Sequence, residues 1–356
     1  MSAPAVTLVL RDRFDAALRS FLDRQQDDWG EGDREAVLDT IRRFVLGDGK
    51  RVRPTFCYWG WRAGGGAHDE DEVFDVAAAL ELFHAFALIH DDIMDSSDVR
   101  RGSPTVHRAF EALHPSFGGR GSAASFGLHT ALLCGDLLAA WSDQLFAECA
   151  LPAAQVRAGQ RLFATMRGEA IAGQYLDLRG QTTGLAGWSV ERALQVTRLK
   201  TARYTITRPL QIGAALAGGS AALLASLAAF GDPLGEAFQL RDDVLGVFGQ
   251  SWATGKSTLD DLRAAKPTVL LALTFARADV RQARTLRALV GDPGLDETGA
   301  GQIAEIIRAS GALAATEVLI EEQAAAAAQA LAAAPMPDDV RAELASLAHQ
   351  AVTRTR

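Results

Sequence analysis

Lysine is nearly missing from this chain. Only four of its 36 basic residues are lysine, Lys50, Lys200, Lys256 and Lys266, and the rest are arginine. An ammonium is a compact point charge and a guanidinium a planar fork, so the two do not substitute for one another at a tight anion site. The bland reading is chance survival under a GC-rich codon bias. The local sequences, GDGKRVRP, RLKTARYT, ATGKSTLDD and RAAKPT, instead each read as a site. Cysteine is scarce too: Cys57, Cys134 and Cys149 form no CxxC or metal-spaced set, and an odd, sparse count suits a reducing compartment. No uninterrupted apolar run reaches about 18 residues, so no membrane span is expected. The N-terminus has too short an apolar run for a secretory signal. A cytoplasmic protein follows as the expectation. With a net charge of −8, general nucleic-acid binding is excluded. A P-loop is excluded as well, because GKST at 255–258 has Gln250 where the first glycine would stand.

What is present is helix. Ala/Leu-rich stretches carry apolar residues at three- and four-residue spacing, and no sustained alternation of period two appears. Breakers such as GDG, GGG, HPSFGGRGS, two GDP triplets and PMP divide them. Helices are expected near 8–24, 33–46, 52–63, 70–95, 104–113, 123–149, 152–179, 189–217, 219–230, 233–249, 266–289, 298–333 and 337–353. With no internal repeat and no linker, residues 1–356 read as one all-α domain, a helical bundle.

The stretch HDDIMDSSDVRRG, residues 90–102, ends a strongly apolar helical run with Asp91, Asp92 and Asp95. Carboxylates at a helix C-terminus oppose the macrodipole, at about 0.3–1 kcal/mol each, so something positive is expected there. Asp91 and Asp95 are one helical turn apart on one face. Hard divalent cations such as Mg²⁺ take oxygen ligands, commonly one or two carboxylates plus substrate phosphates. A second pair, Asp242 and Asp243, interrupts the apolar run EAFQLRDDVLGVFG. Two acidic patches inside core helices are costly unless cations bridge them, and bundles build metal sites between facing helices in this way. With the lysines and arginines they describe a phosphate site lined by Leu, Ala and Phe.

The ordered set GKRVRP, ELFHAF, DDIMD with RRG, CGD, GQYLDL, LKT, FQLRDD, TGK and AKPT resembles the trans-isoprenyl diphosphate synthases over roughly residues 45–270. All four lysines fall inside it. The resemblance implies an isoprenoid-synthase-like bundle around a prenyl-chain cavity, working as a homodimer. It implies condensation of isopentenyl diphosphate with an allylic diphosphate (dimethylallyl, geranyl or farnesyl) by ionisation, condensation and elimination. It implies that Asp91 and Asp95, supported by Asp92, and Asp242, with Asp243 nearby, bind about three Mg²⁺. Arg100, Lys200, Lys256 and Lys266 would grip the allylic diphosphate. Lys50, Arg53, His84, Arg101 and Phe238 would bind isopentenyl diphosphate. The Lys200 carbonyl, Thr201 and Gln239 would face the allylic cation.

In this family the residues four and five before the first Asp set the floor of the chain pocket. Here they are Ala87 and Phe86. One aromatic, with no insertion in DDIMD, resembles synthases of geranylgeranyl diphosphate, the C20 product. C15 or longer products, a terpene cyclase of the same fold and a non-catalytic partner subunit are the alternatives. Gly246 stands where the third Asp of the second motif is common, and the loop HPSFGGRGSAASF at 114–126 matches nothing interpretable.

Overall fold

Val73–Ile89 presents apolar side chains in every direction, and a helix that is apolar all round belongs in the interior. In the computed structural model, which describes residues 3–25, 33–68, 70–183, 189–249 and 259–353, this stretch lies in α4 (Glu72–Met94), buried along most of its length. Around it pack α1 (Ala3–Arg24), α3 (Val52–Ala63) and α6 (Ala123–Ala147). Beyond these lie α2 (Asp33–Val45), α5 (Val106–Leu113) and α7 (Ala153–Thr183). One apolar core joins α1, α3, α4, α6 and α7 to α9 (Arg208–Leu216). A second forms where α10 (Ala221–Phe248) meets the C-terminal helices: α12 (Val269–Arg277), α13 (Val280–Leu289), α14 (Glu297–Ala309) and α15 (Ala312–Ala333). The short α11 (Asp260–Arg263) and α16 (Asp338–Val352) complete the set. The chain is an all-α bundle, as its periodicity predicts.

Four boundaries differ from the sequence reading. The runs 219–230 and 233–249 form one helix, α10 (Ala221–Phe248), with Pro233 inside it. Proline normally breaks a helix; here Asp232 accepts from Thr207 Oγ1 at 2.6 Å and Arg203 Nε at 3.3 Å, and this packing holds both halves in line. The run 266–289 is two helices because Asp279 and Gln282 form a capping box that starts α13 afresh. The run 298–333 breaks at Gly311, whose φ of 73° fits the left-handed region. Between α8 (Val190–Val196) and α9, residues Thr197–Thr207 are wound as a π-helix. The two-strand ribbon Val99–Arg100 with Ser103–Pro104 has no counterpart in the sequence reading. Its turn residues Arg101 and Gly102 both have positive φ, the type I′ pattern that matches strand twist.

Among the described residues, two helices, α4 and α6, are long and apolar enough to cross a membrane. In α4, 67% of the apolar window is buried inside the molecule; in α6 only 28% is. Leu133 on α6 is 68% exposed. All three cysteines are buried and unpaired.

Candidate active site

The end of α4 carries the first acidic cluster, and cations meet it from three elements. Arg100, on the ribbon, donates from Nε to both Asp92 oxygens at 2.8 Å, and its Nη2 lies 3.4 Å from Asp91. Asp92 is 1% exposed, so this fork satisfies a charge that would otherwise be costly. Lys200, in the π-helical stretch, stands 3.5 Å from Asp91 Oδ1 and donates to Asp177 on α7. Lys266 stands 3.0 Å from Asp95 and 3.0 Å from Asp261. Gln174 donates to Asp91 at 3.2 Å. Burial alone would lower both lysines. The carboxylates around them outweigh it and hold both ammonium groups charged.

The second acidic cluster shares its surroundings with the partners of those lysines: Asp177, paired with Lys200, and Asp261, paired with Lys266, both act on Asp243. Asp242 and Asp243 sit half-buried on α10. Desolvation, reinforced by Asp261, Asp242 and Asp177, pushes the Asp243 carboxyl up to about 8, although Gln239 donates to it at 2.8 Å. Such a value marks crowded negative charge that a cation would relieve. Gly246, in place of a third acid, has its own explanation: a Cβ there would lie 3.3 Å from Asp261 Oδ2. The space a third side chain would enter is shared with a carboxylate from another segment.

The π-helical stretch is brought close by small residues. A Cβ on Gly173 would stand 2.4 Å from the Lys200 backbone nitrogen, and one on Gly235 2.4 Å from Ala202 Cα. Only glycine lets α7 and α10 close on Lys200 and Thr201 from both sides.

A cationic set lies beside these acids. Arg53 donates to Thr205 at 2.9 Å and stacks 4.0 Å over the Tyr204 ring. His84 shares a hydrogen bond with the Tyr204 hydroxyl at 3.0 Å. Desolvation, with Arg53, Arg101, Arg100 and Arg51 nearby, holds His84 well below the usual imidazole range, so it is neutral at pH 7. The Tyr204 phenol is pushed up to about 12 by burial. Arg101 meets the Lys50 loop at Gly49, where a Cβ would lie 3.3 Å from Arg101 Nη1. Phe238 is half-buried on α10, next to Gln239.

Among the described residues, the non-glycine positions with positive φ are Arg51, Ser96, Arg101 and Ala265. Each is, or directly adjoins, a residue singled out from the sequence: Lys50, Asp95, Arg101 and Lys266. Strained backbone gathers where side chains must be aimed.

Below Asp91 on α4, Phe86 packs against His90 at 4.6 Å and against Phe83 at 5.2 Å. Phe83 meets Phe163 at 5.8 Å, and Phe163 stacks on Phe146 at 5.1 Å. Ala87 is half-buried beside it.

Of the residues expected at the site, Asp91, Asp92, Asp95, Arg100, Lys200 and Lys266 are joined by direct contacts. The Lys50 loop, Arg53, His84 and Arg101 form the neighbouring set. Lys256 lies outside the described residues, as does Gln250. Asp177, Gln174 and Asp261 take part without having been assigned a role from the sequence. The signal for two of them was the motif GQYLDL itself, which holds Gln174 and Asp177. No three His, Cys, Asp or Glu side chains among the described residues form a metal cage by themselves. The donors offered are hard carboxylates, Asp91 and Asp95 at the end of α4 and Asp242 and Asp243 on α10. That donor set fits Mg²⁺ shared with substrate phosphates better than an ion held by protein alone.

A family model described as Polyprenyl synthetase matches residues 34–308, and the chain belongs to that family. It is an enzyme, a trans-prenyltransferase that makes prenyl diphosphates. It is 34% identical to geranylfarnesyl diphosphate synthase of Aeropyrum pernix over 274 residues, covering 76% of this chain and 78% of that one. It is 31% identical to (2E,6E)-farnesyl diphosphate synthase of Mycobacterium tuberculosis over 312 residues, 86% of this chain and 80% of that one. Its fold superimposes with a TM-score of 0.91 on geranylgeranyl pyrophosphate synthase from Corynebacterium glutamicum, crystallised with isoprenyl diphosphate and magnesium. The identity there is 41%, covering 99% of this chain and 100% of that one. These relatives differ in product length, so the class of reaction is fixed more firmly than its end point.

Proposed function

We propose that the chain is a Mg²⁺-dependent geranylgeranyl diphosphate synthase acting as a homodimer. The observation that carries the reaction is that Lys200 and Lys266 each pair an acid of the first cluster, Asp91 and Asp95, with Asp177 and Asp261, the two acids that also act on Asp243 of the second. Mg²⁺ bound to Asp91, Asp95 and Asp242 supplies Lewis-acid stabilisation of the charge that develops on a departing pyrophosphate. Arg100, Lys200 and Lys266, joined by Lys256, add fixed positive charge on the same leaving group. On substrate binding the two lysines exchange a carboxylate for a phosphate oxygen. The Lys200 carbonyl, Thr201 and Gln239 present oxygen dipoles to the allylic cation. Lys50, Arg53, His84 and Arg101 hold isopentenyl diphosphate, with Phe238 against its short chain, so that its double bond attacks the cation. The departing pyrophosphate takes the proton lost in elimination, and no side-chain base is required.

Support for the C20 product comes from Phe86 standing beneath Asp91 with its aromatic neighbours behind it, and from the likeness to the Corynebacterium enzyme. Support for the dimer comes from α6, whose exposed Leu128 and Leu133 leave an apolar face uncovered. The buried free thiols suit a cytoplasmic setting. The test is mass analysis of products from dimethylallyl, geranyl and farnesyl diphosphates, each with isopentenyl diphosphate. Every starter is expected to end at C20. Termination at C15, or growth past C20, would overturn the product assignment. Consumption of an allylic diphosphate without isopentenyl diphosphate would identify a cyclase instead.

A further inference from the structure

Arg51 stands between Lys50 and Arg53 in the sequence, yet its side chain faces the interior. It is 2% exposed. Its Nε donates to Asp15 Oδ1 at 2.8 Å, its Nη1 to Glu81 Oε1 at 2.7 Å, and its Nη2 to the Val45 carbonyl at 2.9 Å. Its backbone is left-handed, with φ 47° and ψ 40°, at the very start of α3. The Arg51 carbonyl accepts from the amide and the hydroxyl of Thr55 at 3.0 and 2.7 Å. A left-handed arginine is unfavourable by itself and persists only where its surroundings over-determine it. Here the fork is the over-determining element.

The fork joins three parts of the molecule. Asp15 lies on α1, outside the 34–308 stretch that the family model matches. Glu81 lies on α4, one turn before His84. Gly49, on the other side of Lys50, leaves room for the fork: a Cβ there would lie 2.8 Å from Arg51 Nη1 and 3.3 Å from Arg101 Nη1 and would displace these guanidinium ends. Asp15 is shared between Arg51 and Arg11, whose Nε lies 3.9 Å from Asp15 Oδ2. Glu81 is the carboxylate of the set that acts on the subsite arginines, Arg53, Arg100 and Arg101, through Arg101. These three, together with Arg51, all act electrostatically on His84. Glu81 in turn acts on Arg101, where it favours the charged form against the neighbouring arginines. Without that counter-charge, the cations would repel one another before any anion arrived.

We propose that the buried Asp15–Arg51–Glu81 set is a positioning device for the isopentenyl diphosphate subsite. It locks the left-handed turn that aims Lys50 and Arg53, and it offsets the repulsion among the subsite arginines. The set touches no substrate itself. The inference rests on the assignment of that subsite to isopentenyl diphosphate, and it adds α1 to the parts on which the subsite depends.

The test compares Asp15→Asn, Glu81→Gln and Arg51→Lys, which keep shape while removing one charge or the fork, with Arg341→Lys as a control. Arg341 on α16 donates to the Ala332 and Met336 carbonyls at 3.2 and 3.1 Å, far along the chain from every residue of the site, and its loss reports general loosening. In each of the three variants the KM for isopentenyl diphosphate is expected to rise about tenfold or more, as for a displaced binding group. The KM for the allylic substrate and kcat at saturation of both substrates should stay within about twofold. Thermal midpoints are recorded alongside, so that a variant that fails to fold is replaced by the milder ones. If both KM values move together, or neither moves while wild type turns over, the set is only a structural ion cluster. A wild-type protein that does not use isopentenyl diphosphate at all would defeat the proposed function instead.

Discussion

Ala265 adopts φ 50° directly before Lys266, in a conformation that costs an L-residue with a Cβ about 1 kcal/mol or more. Ala265→Gly is therefore expected to raise unfolding free energy by about 1 kcal/mol, read from chemical denaturation, with turnover kept. A second residue-scale prediction concerns His84. Its folded-state pKa lies below the unfolded value near 6.5, because burial and the surrounding arginines oppose its charging. Below pH 6.5 the unfolded chain binds a proton that the folded chain refuses, so stability is full above that pH and falls as the pH drops toward the folded value. His84→Asn should lose less stability than wild type between about pH 7.5 and about pH 5.5 in the same denaturation experiment. The site's residue types were legible in the sequence because acids inside apolar runs and four isolated lysines are chemically conspicuous. The acid that faces Gly246 was not legible, since Asp261 reaches it from another segment through a tertiary contact. Nor was the second task of Arg100, whose fork on buried Asp92 is set by the ribbon geometry.

At the scale of elements, helix existence followed from periodicity, and most ends fell close to their breakers. Misreadings arose where tertiary packing outweighed a local signal. Pro233 stays inside α10 because Asp232 is tied to Thr207 and Arg203. The π-helical winding at Thr197–Thr207 leaves no mark in TRLKTARYTIT, since one i→i+5 stretch inside a long helix does not alter its residue types. The functional weight of α4 is that one helix carries both the acidic cluster and Phe86, the residue proposed as the floor beneath it. Phe86 lies five residues before Asp91, about 7.5 Å along the axis. Phe86→Ala removes the ring that faces His90 and Phe83, and the expected outcome, by mass analysis, is product longer than C20. An unchanged product would take Phe86 out of the pocket floor.

For the molecule as a whole, α6 is a strongly apolar helix that its own fold leaves partly uncovered, with Leu133 68% exposed. A second copy seated on Leu128 and Leu133 would remove this apolar surface from water. Leu133→Glu places a charge in that contact. It is expected to shift the protein from dimer to monomer by sedimentation, with helix content unchanged. A wild-type monomer would contradict the dimer. Partition of the wild-type chain into lipid vesicles would give α6 a membrane role instead.

The two acidic clusters with their lysines unite these scales, because they are claimed to close on one Mg²⁺–diphosphate unit. Calorimetric titration with inorganic pyrophosphate, with and without Mg²⁺, tests that claim most directly on wild type, Asp91→Asn and Asp242→Asn. Tight binding only when Mg²⁺ is present, weakened about tenfold or more by either substitution, is the predicted result. Pyrophosphate binding that ignores Mg²⁺, or that survives loss of both aspartates, would contradict it.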